Sequence, residues 1–284
     1  MDYSDFFKKV LDKTDEIEKP KETIGFDIIK EKTNIDDCKI GGIPYFPKNM
    51  EYPTDDKNQP LVLLAQINFD KLPIIKDFPQ TGILQFYIAQ NDLYGMNWGK
   101  LNQQESFRVI YHKDIDTNVE LFTPNIQIED EYMLPFKYEY KLIPKETSIM
   151  YADIHTESFK ETFINIFNEE ADDDIKSLFD IPIKSIYDLD DGSIEELCQR
   201  NSGNKVQIGG YPFFTQYDPR DTKKEYNDYN IVLFQLDSIV DKEKDIHIMW
   251  GDCGVGNFFI LPFWRLIYFV YVYSGLKPRG TGII

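Results

Sequence analysis

Chemistry in this chain would have to come from a few positions. Trp250-Gly251-Asp252-Cys253-Gly254 is a tight turn that carries a carboxylate and a thiol, with His247 just upstream. A cysteine nucleophile needs a base in contact and a depressed thiol pKa, and closeness in sequence supplies neither. The expectation is therefore that Asp252 caps the turn and Trp250 packs beside it. Gln66 and Gln235 each interrupt an apolar run, and Asn68 and Asp237 follow two residues later, on the same strand face. A buried amide must find hydrogen-bond partners or cost stability. Two uses are open: holding the backbone of a nearby turn, or holding an extended peptide in a cleft.

Other familiar sites are missing from the sequence. His112, His155 and His247 are scattered, with no HExxH and no i, i+4 pair, so no zinc site is expected. Asp188-Leu-Asp-Asp-Gly192 has the composition of a calcium loop, but its glycine comes one position too early for an EF-hand. Gly41-Gly42-x-Pro44 and Gly209-Gly210-x-Pro212 lack the spacing and the following helix of a phosphate loop, and read as turns. No nucleophile elbow, Walker motif or kinase set occurs. No catalytic residue, cofactor or metal is assigned.

The elements that would position these residues are mostly strands. The chain has 284 residues, enough for two medium domains or two fused repeats. An aromatic fraction of 15% supplies a large core and favours strands over long helices. Phe6, Phe7, Val10 and Leu11 have helical spacing within 2–17, with Ser4 or Asp2 as the cap. A first unit follows: the turn at Gly41-Gly42, then strands over 61–69 and 82–88. The same order returns as Gly209-Gly210, 231–237 and 254–260, at a nearly constant offset. Between the units, strands are expected over 106–110 and 132–142, and a helix over 157–167 with Phe159, Phe163 and Phe167 on one face. Residues 168–200 read as a polar surface connection with a short helix.

The expected fold is α+β and β-dominated, two internal repeats of a strand-turn-strand unit with an N-terminal helix and a helical connection. Its parts are 1–38 (helix and lead-in), 39–150 (first repeat), 151–204 (acidic helical connection) and 205–284 (second repeat with an atypical apolar end). Phe258–Leu276 approaches the length of a membrane span, but Arg265, Pro262 and its many aromatics favour a buried strand pair.

Charge restricts the partners. Thirty-one basic residues against 49 acidic ones give −18, a field that repels phosphate backbones and argues against nucleic acid. The same field attracts basic partners, though an acidic surface also serves solubility. Three distant cysteines, Cys38, Cys198 and Cys253, suit a reducing compartment such as the cytoplasm, and the N-terminus has no signal-peptide core.

Taken together, Lys39-Ile-Gly-Gly-x-Pro44, Leu64-Ala-Gln-Ile-Asn68, Gly82-Ile-Leu-Gln-Phe-Tyr87, Gly209-Gly-Tyr-Pro212, Leu233-Phe-Gln-Leu-Asp237 and Trp250-Gly-Asp-x-Gly254 resemble the YwqG-like family. The resemblance runs from Lys39 to Ile260 and implies a duplicated β-sheet fold with no established catalytic residues. It also implies a remote relation to programmed-cell-death-2-type proteins, chaperones for a ribosomal protein, whose zinc module is absent here. After Ile260 this chain departs from the family pattern. The expected function is a non-enzymatic protein- or peptide-binding module, a chaperone for a basic client. Gly41, Gly42, Gln66, Asn68, Gly209, Gly210, Gln235, Asp237, Trp250 and Asp252 would line or shape a cleft between the repeats. The alternative is an enzyme or small-ligand-binding protein that uses Asp252, Cys253 and the glutamine pair.

Overall fold

A computed structural model describes residues 3–97, 99–116, 120–123, 126, 133–154, 156–200, 203–216, 218–222, 224–262 and 267–272. In chain order the helices and strands are α1 (Ser4–Ile17), β1 (Lys21–Ile29), β2 (Lys39–Ile40), β3 (Val62–Asn68), β4 (Ile83–Ile88) and β5 (Phe107–His112). Next come β6 (Tyr140–Pro144), β7 (Ser148–Met150), α2 (Glu157–Glu170), α3 (Asp173–Leu178), α4 (Asp191–Gln199) and β8 (Val206–Gly209). The last are β9 (Ile231–Asp237), β10 (Ile239–Asp241), β11 (Ile246–Ile248), β12 (Val255–Ile260) and β13 (Ile267–Val272).

One antiparallel sheet carries most of the strands, in the order β13-β12-β9-β8-β1-β6-β2-β3-β4-β5, with β7 beside β1 and a separate β10–β11 hairpin. The order is balanced about the central pair, where Phe26–Ile29 of β1 meet Lys141–Pro144 of β6. To one side of that pair lie β8, β9, β12 and β13; to the other lie β2, β3, β4 and β5. Each central strand thus pairs with the flank that it does not directly precede in the chain: β1 with β8, β6 with β2. The sheet curls far enough for its two flanks to touch. Phe86 of β4 stacks on Phe234 of β9 at 4.9 Å and lies 4.8 Å from Phe258 of β12. Strands β3, β4 and β12 are buried on both faces, which explains their near-continuous apolar runs.

Strand β1 is a difference from the sequence reading, which left 18–38 as lead-in. Gly25 and Asp27 break its apolar run and hide the strand signal. A side chain at position 25 would collide with Asn204, so glycine serves close packing there.

The helices build a second core. Phe7, Val10, Leu11 and Thr14 of α1 are buried at i, i+3, i+4, i+7 spacing. Phe159, Phe163 and Phe167 of α2 face them, with Phe7 and Phe163 rings 5.6 Å apart. The α1 cap differs from expectation: Ser4 is the first helical residue, Tyr3 is the N-cap, and no side chain caps the turn; Asp2 lies outside the described residues. Residues 168–200 hold two helices instead of one, and Ile175, Ile183, Ile186, Leu189 and Leu197 are buried against α1 and α2. The acids of this segment are caps: Asp172 accepts from the Ile175 N–H, and Asp190 from those of Gly192 and Ser193. Asp188 closes a capping box with Ser185.

At the C-terminal end, β12 and β13 form a strand pair, as expected; it is antiparallel, Val255–Ile260 against Val272–Ile267. Residues 263–266 and 273–276 of the apolar run lie outside the described residues. Among the described residues no helix is long and apolar enough to cross a membrane.

Candidate functional site

Both double-glycine turns adopt left-handed backbone, with φ of +66° and +73° at Gly41 and Gly42 and of +69° and +71° at Gly209 and Gly210. This conformation is cheap only for glycine. It reverses each chain out of β2 or β8, and the segment that follows is fixed by side-chain amides of the sheet. Gln66 accepts the Tyr45 N–H at 2.9 Å; Gln235 accepts the Phe213 N–H at 2.7 Å. Gln85, paired across the strands with Gln66, donates to the Tyr45 carbonyl at 2.7 Å; Asn257, paired with Gln235, donates to that of Phe213 at 3.0 Å. Lys39 donates to the Ile43 carbonyl at 2.8 Å, and Gln207 to that of Tyr211 at 2.9 Å. The Gln66 amide nitrogen donates to the carbonyls of Ile35 and Asp37, and that of Gln235 to the Asn204 carbonyl.

These contacts answer the question left open for the glutamines. Gln66 is 0% exposed and Gln235 1%. Both hold backbone, with no free face toward a groove. Asn68, also buried, donates to the Asp36 carbonyl and caps the short turn at Asp70. Asp237 is half-buried, and burial raises its carboxyl pKa, partly offset by Lys205. Sequence reading found Gln66 and Gln235 because they interrupt apolar runs. It missed Gln85, Asn257, Lys39 and Gln207, whose cross-strand registers only the paired sheet reveals.

The ten residues proposed from sequence fall into three places. Gly41, Gly42, Gln66 and Asn68 sit on the β2–β3 flank; Gly209, Gly210, Gln235 and Asp237 sit on the β8–β9 flank. Trp250 and Asp252 belong to the turn between β11 and β12. Trp250 is fully buried, its ring edge-on to Tyr94 at 5.4 Å and pressed over Gly256. Asp252 is exposed, as is Cys253, which has a left-handed φ of +54°. Cys38 is buried, and burial pushes its thiol up to about 11. His112 is buried 2.9 Å from the Gln85 side-chain oxygen, and burial lowers its pKa. His155 lies outside the described residues. Among the described residues no group of three or more His, Cys, Asp or Glu side chains is placed to hold a metal ion.

Two clefts open beside this framework. The first, about 530 Å³, is lined by Tyr94, Phe136, Tyr138, Asp245, His247 and Gly251, among others. Its floor forms where Phe136 bridges to Ile248 and Met249 donates to the Pro135 carbonyl. Two of its lining residues hold the Lys30 ammonium, which sits 3.2 Å from the centre of the Tyr138 ring and 2.5 Å from an Asp245 oxygen. The second, about 700 Å³, includes Lys21, Phe78, Ile149, Gly209, Gly210 and Pro262. The loop after β3 reaches across to it, where Lys76 N–H donates to Glu22 at 2.7 Å. Gly209 and Gly210 thus reach a cleft directly; Gly41 does so through Phe136, whose ring would collide with a side chain at position 41.

A search among curated proteins of known description finds no match. A family comparison does: from residue 38 to 262, most of its length, the chain matches the domain of unknown function DUF1963, and it belongs to that family.

Proposed function

We propose that the chain is a non-enzymatic binding module for a basic protein or peptide, and that the client's cationic side chains enter the cleft beside Tyr138 and Asp245. The observation that carries this is the seat of Lys30. An aromatic face and a carboxylate hold an ammonium there, the chemistry that a lysine- or arginine-rich segment requires. A client cation takes the seat by displacing Lys30, whose ion pair with the largely exposed Asp245 is weak. Two further aromatics, Tyr94 and Phe136, line the same cleft. The charge of −18 would speed encounter with such a client.

The balanced strand order and the matching turn contacts of Gln66 and Gln235 support an internal duplication in which the first strand of each repeat is exchanged. The resemblance to YwqG-like proteins, and through them to ribosomal-protein chaperones, agrees with a basic client in the cytoplasm. The sequence-derived residues then act at one remove: the glycines and amides set the turns, and the cleft walls do the binding. Mapping a lysine-rich peptide on the full chain by heteronuclear NMR tests this. Shifts should concentrate in 134–138 and 245–251. Shifts spread evenly over exposed acids would refute a dedicated cleft.

A further inference from the structure

The second cleft has chemistry of its own, independent of peptide binding in the first. Lys21 opens the central strand β1 and lies on the cleft wall, its ammonium donating to the Asn230 carbonyl at 3.1 Å and sitting 4.4 Å from the Tyr211 ring centre. Among the described residues it pairs with no carboxylate, although acids outnumber bases across the chain. Lys39, which is fully buried, differs: it donates to two carbonyls and closes a turn. Lys76, exposed on the rim of the same cleft, also makes no ion pair among the described residues.

The charged groups around Lys21 are defined. Arg220 is the nearby cation, but its guanidinium is committed to Asp218 and to the Tyr229 carbonyl and lies over the Phe259 ring. Glu18 is close enough to favour the ammonium, Glu22 accepts from the Lys76 N–H, and Asp77 lines the cleft. Burial and Arg220 together draw the Lys21 pKa down to about 8, so the charge is kept at neutral pH but is poorly compensated. The rest of the wall is largely apolar, with Phe78, Ile231, Val232, Pro262 and an Ile149 that is 56% exposed. A large aliphatic side chain left open beside a half-exposed cation with no direct carboxylate partner among the described residues describes half of a binding site.

We propose that this cleft binds a small amphipathic carboxylate, its anionic head against the Lys21 ammonium and its apolar body over Phe78, Ile149 and Pro262. One available ammonium on the cleft wall, with Glu18 and Glu22 close by, suits a singly charged head. A phosphate, at about −1.5 to −2, would ask for a second cation, and Arg220 is already engaged. The volume of about 700 Å³ is in the range that holds small organic ligands.

Titrating the full chain with sodium octanoate, and with 1-octanol as the neutral counterpart, tests the site. Octanoate should bind the native chain, and Lys21→Met should weaken it at least tenfold while changing octanol binding little. Native affinity for octanoate should fall as pH rises from 7 to 9.5, and that of the variant should not. Equal octanoate affinity in the two proteins, or octanoate binding no tighter than octanol, would overturn the proposal. If Lys21→Met fails to fold, Lys21→Arg and chemical protection replace it. Octanoate, but not octanol, should slow acylation of Lys21 by an amine reagent, read by mass spectrometry, and Lys21→Arg should keep octanoate binding. Unchanged acylation would refute the site without any apolar variant.

Discussion

The side-chain nitrogen of Gln85 donates to the side-chain oxygen of Gln66 at 2.8 Å, so two buried amides on adjacent strands orient each other. Each then holds one polar group of Tyr45: Gln66 its N–H, Gln85 its carbonyl. A loop segment is thereby fixed to the sheet by side chains with no solvent to compete. On the other flank Gln235 and Asn257 do the same for Phe213.

Replacing Gln66 by alanine strands the buried Tyr45 N–H and the carbonyls of Ile35 and Asp37. The expected cost is about 2–4 kcal/mol, from one fully buried donor and two acceptors left unpaired. Gln235→Ala, with fewer contacts, should cost about 1–3 kcal/mol by the same reasoning. Urea denaturation followed by circular dichroism measures both. Unchanged midpoints would mean that the amides face a groove instead of holding turns.

Glycine substitutions should divide sharply by position. In Gly209→Ala the new Cβ would stand 2.5 Å from the Glu22 carbonyl oxygen at a φ of +69°, and in Gly41→Ala 2.8 Å from the Phe136 ring. Left-handed backbone alone costs a non-glycine residue about 1–2 kcal/mol, and the clash adds to it. Gly99→Ala meets only ordinary contact at 3.5 Å and should stay within about 0.5 kcal/mol of the native chain. Thermal melts of the three variants check the order.

Alkaline pH reads Lys39 and Lys21. Burial draws Lys39 down to about 8, against the favourable pull of Glu139 and Asp37, and Lys21 to a similar value. Between pH 8 and 10 the unfolded chain therefore holds more protons at these sites than the native one, and their linkage makes stability rise with pH. Below about pH 7 both states are protonated and the contribution is flat. Lys39→Met should reduce the slope between pH 8 and 10 by up to about 1 kcal/mol per pH unit, since one proton per molecule corresponds to about 1.4. Urea midpoints at pH 7, 8, 9 and 10 give the slopes, and equal slopes in both proteins would contradict the assignment.

Much of the framework was legible because its signals are local. Two glycines before a proline, and an amide inside an apolar run, mark turn and anchor in the sequence of each flank. Strand β1 was not legible, since Gly25 trades strand propensity for close packing on Asn204, a residue far along the chain. A helix in 168–200 is expected from the sequence, but the segment's second helix and buried face are not, for a similar reason. Its isoleucines are spaced among acids that read as solvated, and the acids turn out to cap helices. The cleft walls are the least legible part. Tyr138 and Asp245 come together only where β11 meets the segment before β6, and Lys21 becomes a cleft residue only when the loop after β3 crosses to it. Such contacts are set by sheet register, which no short motif encodes.

Binding of a basic peptide at the Tyr138–Asp245 wall is measured most directly by fluorescence anisotropy of a labelled lysine-rich peptide. The native chain should be compared with Asp245→Asn and Tyr138→Ala at low and moderate salt, with Glu169→Gln as the control for lost surface charge. The account predicts a saturable complex, weakened at least tenfold by either cleft substitution and little by the control. Equal weakening by Asp245→Asn and Glu169→Gln, with binding abolished by moderate salt in every protein, would reduce the interaction to general attraction by an acidic surface and contradict a dedicated cleft.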